Sequence, residues 1–197
     1  MLNIRPILFI LGLLLTTLAL AMSIPALIDA LTGHSDWQVF LASAGLTMFI
    51  GISLILTMRG SNMAIGIRDA FILTIGSWLG VTLFASLPFA FAELNLSFAD
   101  AFFEAMSGIT TTGATVIVNV DHAPPGILLW RALLQWLGGV GIIVMALAVL
   151  PMLSIGGMQL FKTESYETPD KVVPKAASFA AGISLVYISL TTIWAMM

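Results

Sequence analysis

Thr110-Thr111-Thr112-Gly113-Ala114 follows a short apolar stretch that opens with Ser97 and Asp100 at the S-x-x-D spacing of a helix start. Residues of these types in succession suit one piece of chemistry, the replacement of the water around a monovalent cation. Taking a bare ion into the membrane interior costs on the order of tens of kcal/mol. Backbone carbonyls offset that cost without a net charge that would trap the ion. Gly113 accepts backbone conformations that turn a carbonyl inward, and it places no side chain in the path. The stretch before it, residues 98–108, predicts a helix of about 16 Å, roughly half the hydrocarbon thickness. A helix that stops at mid-membrane leaves its last carbonyls without water, so the backbone after it must be buried in protein or line a hydrated path. Its negative C-terminal end, near Gly108, would face a cation rather than an anion.

The elements that must position this loop are membrane spans. Of the 197 residues, 59% are hydrophobic and only 9% are charged, which excludes an ordinary soluble domain. There is no cysteine, hence no disulfide framework or thiolate metal site, and the net charge of -3 comes with no basic stripe that would track nucleic acid. Apolar runs occupy about residues 7–28, 39–58, 70–91, 127–153 and 176–197. The first contains Ala19-Leu20-Ala21, yet it runs on past that candidate cleavage site and is long enough to span, unlike a secretory h-region. Pro25 is a candidate kink. In the third, Gly76 and Gly80 form a GxxxG pair that favours close approach of a neighbouring helix. Gly138, Gly139 and Gly141 in the fourth would let the short helix and its loop pack closely. Pro124-Pro125 ahead of that run suits a first helical turn.

The expected fold is therefore all-α: five transmembrane helices and one re-entrant pore helix with a filter loop. The chain divides into a leading helix pair (1–66), a helix, pore loop and helix repeat (67–153), a connection (154–175) and a further span (176–197). Arg5, Arg59, Arg68, Lys162, Lys171 and Lys175 fall on one side if the helices alternate, which makes that side, with the N-terminus, cytoplasmic. Asp36, Glu93, Asp100, Asp121 and the mouth of the loop then face outward. One loop cannot surround an ion, so about four copies or further repeats are required. The chain stops inside its fifth run, which predicts that it is the front part of a longer protein.

Three separated blocks carry a resemblance. They are Phe103-Glu104-Ala105-Met106-Ser107-Gly108-Ile109-Thr110-Thr111-Thr112-Gly113-Ala114, then Trp130-Arg131-Ala132-Leu133-Leu134-Gln135-Trp136-Leu137-Gly138-Gly139-Val140-Gly141-Ile142-Ile143-Val144, and residues 151–161. In order and spacing they resemble the first pore repeat of the TrkH family, the membrane subunits of bacterial Trk potassium uptake systems within the Trk/Ktr/HKT superfamily. The resemblance covers essentially the whole chain. It implies two leading helices followed by four helix, pore loop and helix repeats, with potassium as the ion and Gly113 as the filter glycine of the first repeat. It also implies a homodimer in the bacterial inner membrane, in contact with lipid and gated by a cytosolic nucleotide-binding subunit of the TrkA type.

On this reading the backbone of Thr110, Thr111, Thr112, Gly113 and Ala114 binds potassium, with Glu104, Arg131 and Asp100 in support. Glu104 and Arg131 are the charges expected within the membrane region, where such groups find partners; Asp121 competes for Arg131, which otherwise anchors at the interface. Asp100 caps the short helix and adds negative potential at the mouth. His34 and His122 lack a second ligand at metal-binding spacing. Trp37, Trp130 and Trp136 fit an interface belt or helix packing. No catalytic triad, phosphate loop or dinucleotide fingerprint is present, so an enzyme is not expected. The alternatives are a secondary transporter with a broken-helix solute site, a sodium- and potassium-permeable channel subunit, and a non-transporting subunit. The very few polar or charged side chains in the first three spans weigh against the transporter.

Overall fold

The computed structural model describes residues 4–60, 67–149, 182 and 185–193. Its helices are α1 (Ile4–Thr32), α2 (Trp37–Met58), α3 (Ile67–Ala85), α4 (Leu87–Phe91), α5 (Phe98–Ile109) and α6 (Pro125–Val149), with a 3-10 turn at Val120–His122. Residues 185–193 are helical, and among the described residues there is no strand. Among the described residues three helical segments are long and apolar enough to cross a membrane: Ile4–Thr32, Trp37–Met58 and Arg68–Phe91. Ser61 and Asn62, the block at 151–161, the connection with its three lysines and most of the fifth apolar run lie outside the described residues.

Helix is the expected outcome for such runs, because in hydrocarbon every backbone N–H and C=O must find its partner within the segment. Their outer faces are also apolar: α1 buries Leu15, Leu18 and Met22 while leaving Leu20, Leu27 and Leu31 exposed. Water would penalise that second face, whereas lipid accepts it.

By their contacts the residues form two compact units, Met1–Gly138 and Gly139–Met197. In the first, α1 ends in a Schellman motif. Gly33 takes a φ of +79°, and the His34 N–H donates to the Asp29 carbonyl at 3.0 Å. The chain then turns directly into α2. The two helices meet where Gly12 faces Gly51; a Cβ on Gly12 would stand 2.8 Å from the Gly51 carbonyl oxygen. The GxxxG pair behaves otherwise. Gly76 faces open space and Gly80 meets only the Leu11 side chain, so the closest glycine crossing in this region joins single glycines on two helices. Helix α1 continues through Pro25. A one-residue interruption falls instead at Ser86, two residues before Pro88, a proline to which the sequence reading assigned nothing; Ser86 keeps right-handed helical torsions, and the Ala90 N–H donates to its carbonyl at 3.0 Å, so Arg68–Phe91 stays one span. Pro88 offers no N–H to the preceding turn, and the Ser86 hydroxyl donates to the Leu83 carbonyl at 2.8 Å.

The core of this unit is built from Leu15, Met22, Phe40, Phe89, Ile127 and Trp130. Trp130 is fully buried, meets Phe40 edge-on with ring centroids 6.2 Å apart, and donates its indole N–H to the Ala85 carbonyl at 3.0 Å. It serves packing, whereas Trp37 is partly exposed. In the second unit Gly139 lies against Tyr187; a Cβ on Gly139 would stand 2.7 Å from the tyrosine hydroxyl.

Candidate functional site: a carbonyl loop at the end of a short helix

Helix α5 has 12 residues, about 18 Å. A complete capping box starts it. The Ser97 Oγ accepts the Asp100 N–H at 3.2 Å, and Asp100 Oδ2 accepts from both the Ser97 N–H at 3.3 Å and the Ser97 hydroxyl at 2.6 Å. Asp100 is therefore engaged at the helix start. The buried face carries Ala101, Glu104, Ala105, Ser107, Gly108 and Ile109. At the C-terminal end this face lies on α6. A Cβ on Gly108 would come within 3.0 Å of the Leu134 Cβ, and one on Gly138 would collide with the Ile109 carbonyl oxygen. Of the three glycines expected to admit the short helix, Gly138 does so; Gly139 meets Tyr187 and Gly141 has open space around it.

The loop after α5 folds back onto the end of the helix. The Thr110 N–H donates to the Met106 carbonyl at 2.9 Å, the Thr111 N–H to Gly108 at 2.9 Å, and the Thr112 and Gly113 N–H groups both to Ser107, at 2.9 and 3.2 Å. The sign of φ alternates along this run: Thr110 is at -83°, Thr111 at +58° and Gly113 at +77°, while Thr112 stays on the negative side. Alternation of right- and left-handed residues turns successive N–H groups to one side and successive carbonyls to the other. Here the N–H side faces α5. Among the described residues no donor reaches the carbonyls of Thr110, Thr111, Thr112 or Gly113. The Ala114 carbonyl differs, since it accepts the Ser107 hydroxyl at 2.6 Å.

Gly113 sits in the left-handed region with ample room; the nearest atom to an added Cβ would be Gln135 Nε2 at 3.9 Å. Backbone conformation, not space, is what calls for glycine there. Thr111 is left-handed too, although it is β-branched, a state that costs about 1–3 kcal/mol. Nothing in the residue type signals this. The Thr110 hydroxyl bonds the Met106 carbonyl at 2.7 Å and lies 2.9 Å from the Thr112 hydroxyl.

Behind the loop, Glu104 is almost fully buried and both of its oxygens are used. Oε2 accepts Arg131 Nε at 2.9 Å. Oε1 accepts the Thr115 hydroxyl at 2.5 Å, the Val116 N–H at 2.6 Å and the Ile117 N–H at 3.3 Å. One carboxylate thus ties α5 to α6 and to the outgoing limb of the loop. Arg131 pairs with Glu104 rather than with Asp121, which is exposed in the 3-10 turn. The sequence reading missed Thr115 and Ser107 as parts of this arrangement. The available signal was the i, i+3 spacing of Glu104 and Ser107, which puts two polar residues on the buried face of an apolar helix.

It also missed Asp29. This residue is buried near the end of α1 and accepts the Gly126 N–H at 2.7 Å at the start of α6. A carboxylate suits a helix N-terminus, and a Cβ on Gly126 would collide with it. His34 and His122 are exposed, and among the described residues no group of three acidic or histidine side chains could hold a metal.

The sequence model of the family described as "TrkH: Cation transport protein" matches residues 37–197. The chain belongs to the TrkH family. This is a family of cation transport proteins, not of enzymes. Among similar proteins is a Trk system potassium uptake protein TrkH of Halomonas elongata, 41% identical over 192 residues that cover 96% of this chain and 40% of that protein. A TrkI protein of the same organism, also a Trk system potassium uptake protein, is 39% identical over 97% of this chain and 39% of its own length. The crystal structure of the potassium transporter TrkH from Vibrio parahaemolyticus aligns with a TM-score of 0.83 at 37% identity, over 98% of this chain and 38% of that one. The TrkH-family chain thus spans about two fifths of the length of the relatives that it matches.

Proposed function

We propose that this chain supplies one wall of a potassium-conducting pore in a bacterial inner-membrane uptake protein. The observation that carries the reading is the run of carbonyls from Thr110 to Gly113 with no donor in reach among the described residues, the first three of them opposite N–H groups that bond the end of α5. Nothing else in the described backbone combines a half-length helix, alternating φ and free acceptors. In this reading α5 is the re-entrant pore helix. Helix α6 and the run at 176–197 complete a count of five spans, and the pieces are a leading pair (1–66), a first repeat (67–153), a cytoplasmic connection (154–175) and the first helix of a second repeat. Potassium is the cargo, held briefly by Thr110, Thr111, Thr112 and Gly113. Ala114 drops out as a direct ligand because its carbonyl is engaged by Ser107. Glu104 and Arg131 brace the loop, and Asp100 caps the pore helix. The N-terminus is cytoplasmic, so the inward-negative potential contributes about 2.3 kcal/mol per charge per 100 mV to uptake. The full-length protein sits in lipid as a homodimer and binds a nucleotide-binding regulatory subunit of the TrkA type.

The test is rubidium or potassium uptake by the full-length protein in cells that lack their own uptake systems. Gly113→Ser and Gly113→Asp place a side chain at a φ of +77°, and both are expected to change ion preference or rate at equal membrane expression. Wild-type rate and preference in both variants would overturn the filter assignment.

A further inference from the structure

Hydroxyls on these helices mostly bond back within their own helix. Thr16, Thr17, Thr47, Ser53, Thr57 and Thr110 each donate to the carbonyl four residues earlier. Ser107 does not. Its hydroxyl reaches forward seven residues to the Ala114 carbonyl, at 2.6 Å. The carbonyl of the same residue accepts the N–H groups of both Thr112 and Gly113. Ser107 is buried, with 5% of its surface exposed. The carbonyl and the hydroxyl of a single residue therefore hold the loop on both sides of Gly113, and the hydroxyl gives the Ala114 carbonyl a partner on α5 that the Thr110, Thr111 and Thr112 carbonyls, opposite their own α5-bound N–H groups, do not have.

We propose that the Ser107 hydroxyl is a positioning residue for ion preference: it holds the Ala114 carbonyl against α5, and so ends the column of ion-facing carbonyls at Gly113. The proposal rests on the filter reading above. A carbonyl deprived of its donor retains its need for one. Without the hydroxyl, the nearest alternative partner for Ala114 is the hydrated path or the ion itself. The peptide between Ala114 and Thr115 then turns outward, and the number and spacing of the oxygens offered to the ion change. The effect falls on discrimination and half-saturation, because no group that holds α5 in place has been removed.

The experiment measures rubidium uptake, its half-saturation and its inhibition by sodium for Ser107→Ala, Ser107→Thr and Ser107→Cys in the full-length protein, with Gly113→Ser alongside. Ser107→Ala is expected to shift half-saturation or the sodium-to-potassium preference about fivefold, the ratio of one net hydrogen bond. Ser107→Thr keeps the hydroxyl and is expected within twofold of wild type, about the smallest hydrogen-bond effect. Ser107→Cys, near in shape but a weaker donor, is expected between them, and it carries the test if the alanine variant does not accumulate. Lower membrane abundance with unchanged half-saturation and preference in the alanine and cysteine variants would show a merely structural role and overturn the proposal. Equal shifts in the alanine and threonine variants would overturn it too, since the hydroxyl would not be the operative group. If Gly113→Ser alters preference while Ser107→Ala and Ser107→Cys do not, the filter reading stands and this proposal fails. If none of them does, the filter reading fails as well.

Discussion

The α1–α2 pair and the α5 loop are both built on glycines that let backbone meet backbone, yet they dispose of their polar atoms in opposite ways. On α1 and α2, Thr16 and Thr47 satisfy their hydroxyls on carbonyls of their own helix, at 2.8 and 2.7 Å, so these side chains make no demand on another segment. At α5, the hydroxyl and carbonyl of Ser107 and the carboxylate of Glu104 are committed to other segments, and four loop carbonyls are left with no donor among the described residues. In a membrane an unsatisfied carbonyl is tolerated only where it meets protein or a hydrated path. The contrast therefore separates a packing surface from one whose backbone acceptors stay open, the property on which the proposed pore rests, although both look alike in composition.

The strongest way to break the comparison is at the point where α5 touches α6. Gly138→Val sets a side chain against the Ile109 carbonyl, a backbone atom that cannot rotate away. It is expected to cost about 3 kcal/mol or more, the upper range for overpacking, and to abolish uptake by the full-length protein. Gly141→Ala, with open space around it, is the control and should retain folded yield. Next comes the Glu104 brace. Glu104→Gln and Arg131→Gln should each lower thermal stability in detergent, and a double-mutant cycle should show coupling of about 1–3 kcal/mol. Simple additivity would mean that the pair seen at 2.9 Å does not act as a unit.

A smaller effect is expected at the helix pair, where Gly51→Ala places a Cβ 2.7 Å from the Thr16 hydroxyl. A loss of about 1–2 kcal/mol is expected, with potassium half-saturation unchanged. Gly76→Ala enters open space in mid-helix and should be stabilising by up to about 1 kcal/mol. A shift in ion preference from Gly51→Ala would erase the distinction between the two regions.

The smallest effect belongs to Asp36 in the α1–α2 turn. Burial pushes its carboxyl above the ordinary value; the Glu93 N–H, 3.4 Å from Oδ1, opposes the rise, and the Asp29 and Glu93 carboxylates add to it, with His34 lowering it slightly. A raised carboxyl favours the protonated folded state. Its contribution to stability is full below the unfolded value, about 3.9, and is lost as pH rises through the folded one. Asp36→Asn should flatten that part of the stability curve and raise stability at pH 7. An unchanged slope of melting temperature against pH would count against the assignment.

Much of this was legible in the residues. The start of α5 was, because a capping box is closed by neighbours three positions apart. The first three apolar helices were, because hydrocarbon thickness converts directly into a run of apolar residues. Of the GxxxG pair, Gly80 meets Leu11 of α1 while Gly76 meets nothing among the described residues, since spacing along one helix does not state what lies opposite; Gly12 and Gly51 show that single glycines on two helices suffice. The interruption at Ser86 follows from Pro88, whose ring nitrogen has no N–H to give the preceding turn. Asp29 lies one residue past the first apolar run, and its partner Gly126 is 97 residues away.

The sequence by itself determined that the chain is helical and apolar, that one helix is half the length of its neighbours, and that Gly113 follows it. These properties depend on composition and local spacing. Only the tertiary structure decided which carbonyls are free. Ala114 was expected among the ion ligands, but its carbonyl is taken by Ser107, and Thr111 proves to be the second left-handed residue of the loop. It also decided that Arg131 meets Glu104 rather than Asp121. A backbone group is free or occupied according to what the fold brings opposite it, and even for partners as near in sequence as Ser107 and Ala114 the pairing depends on backbone torsions that residue types do not state.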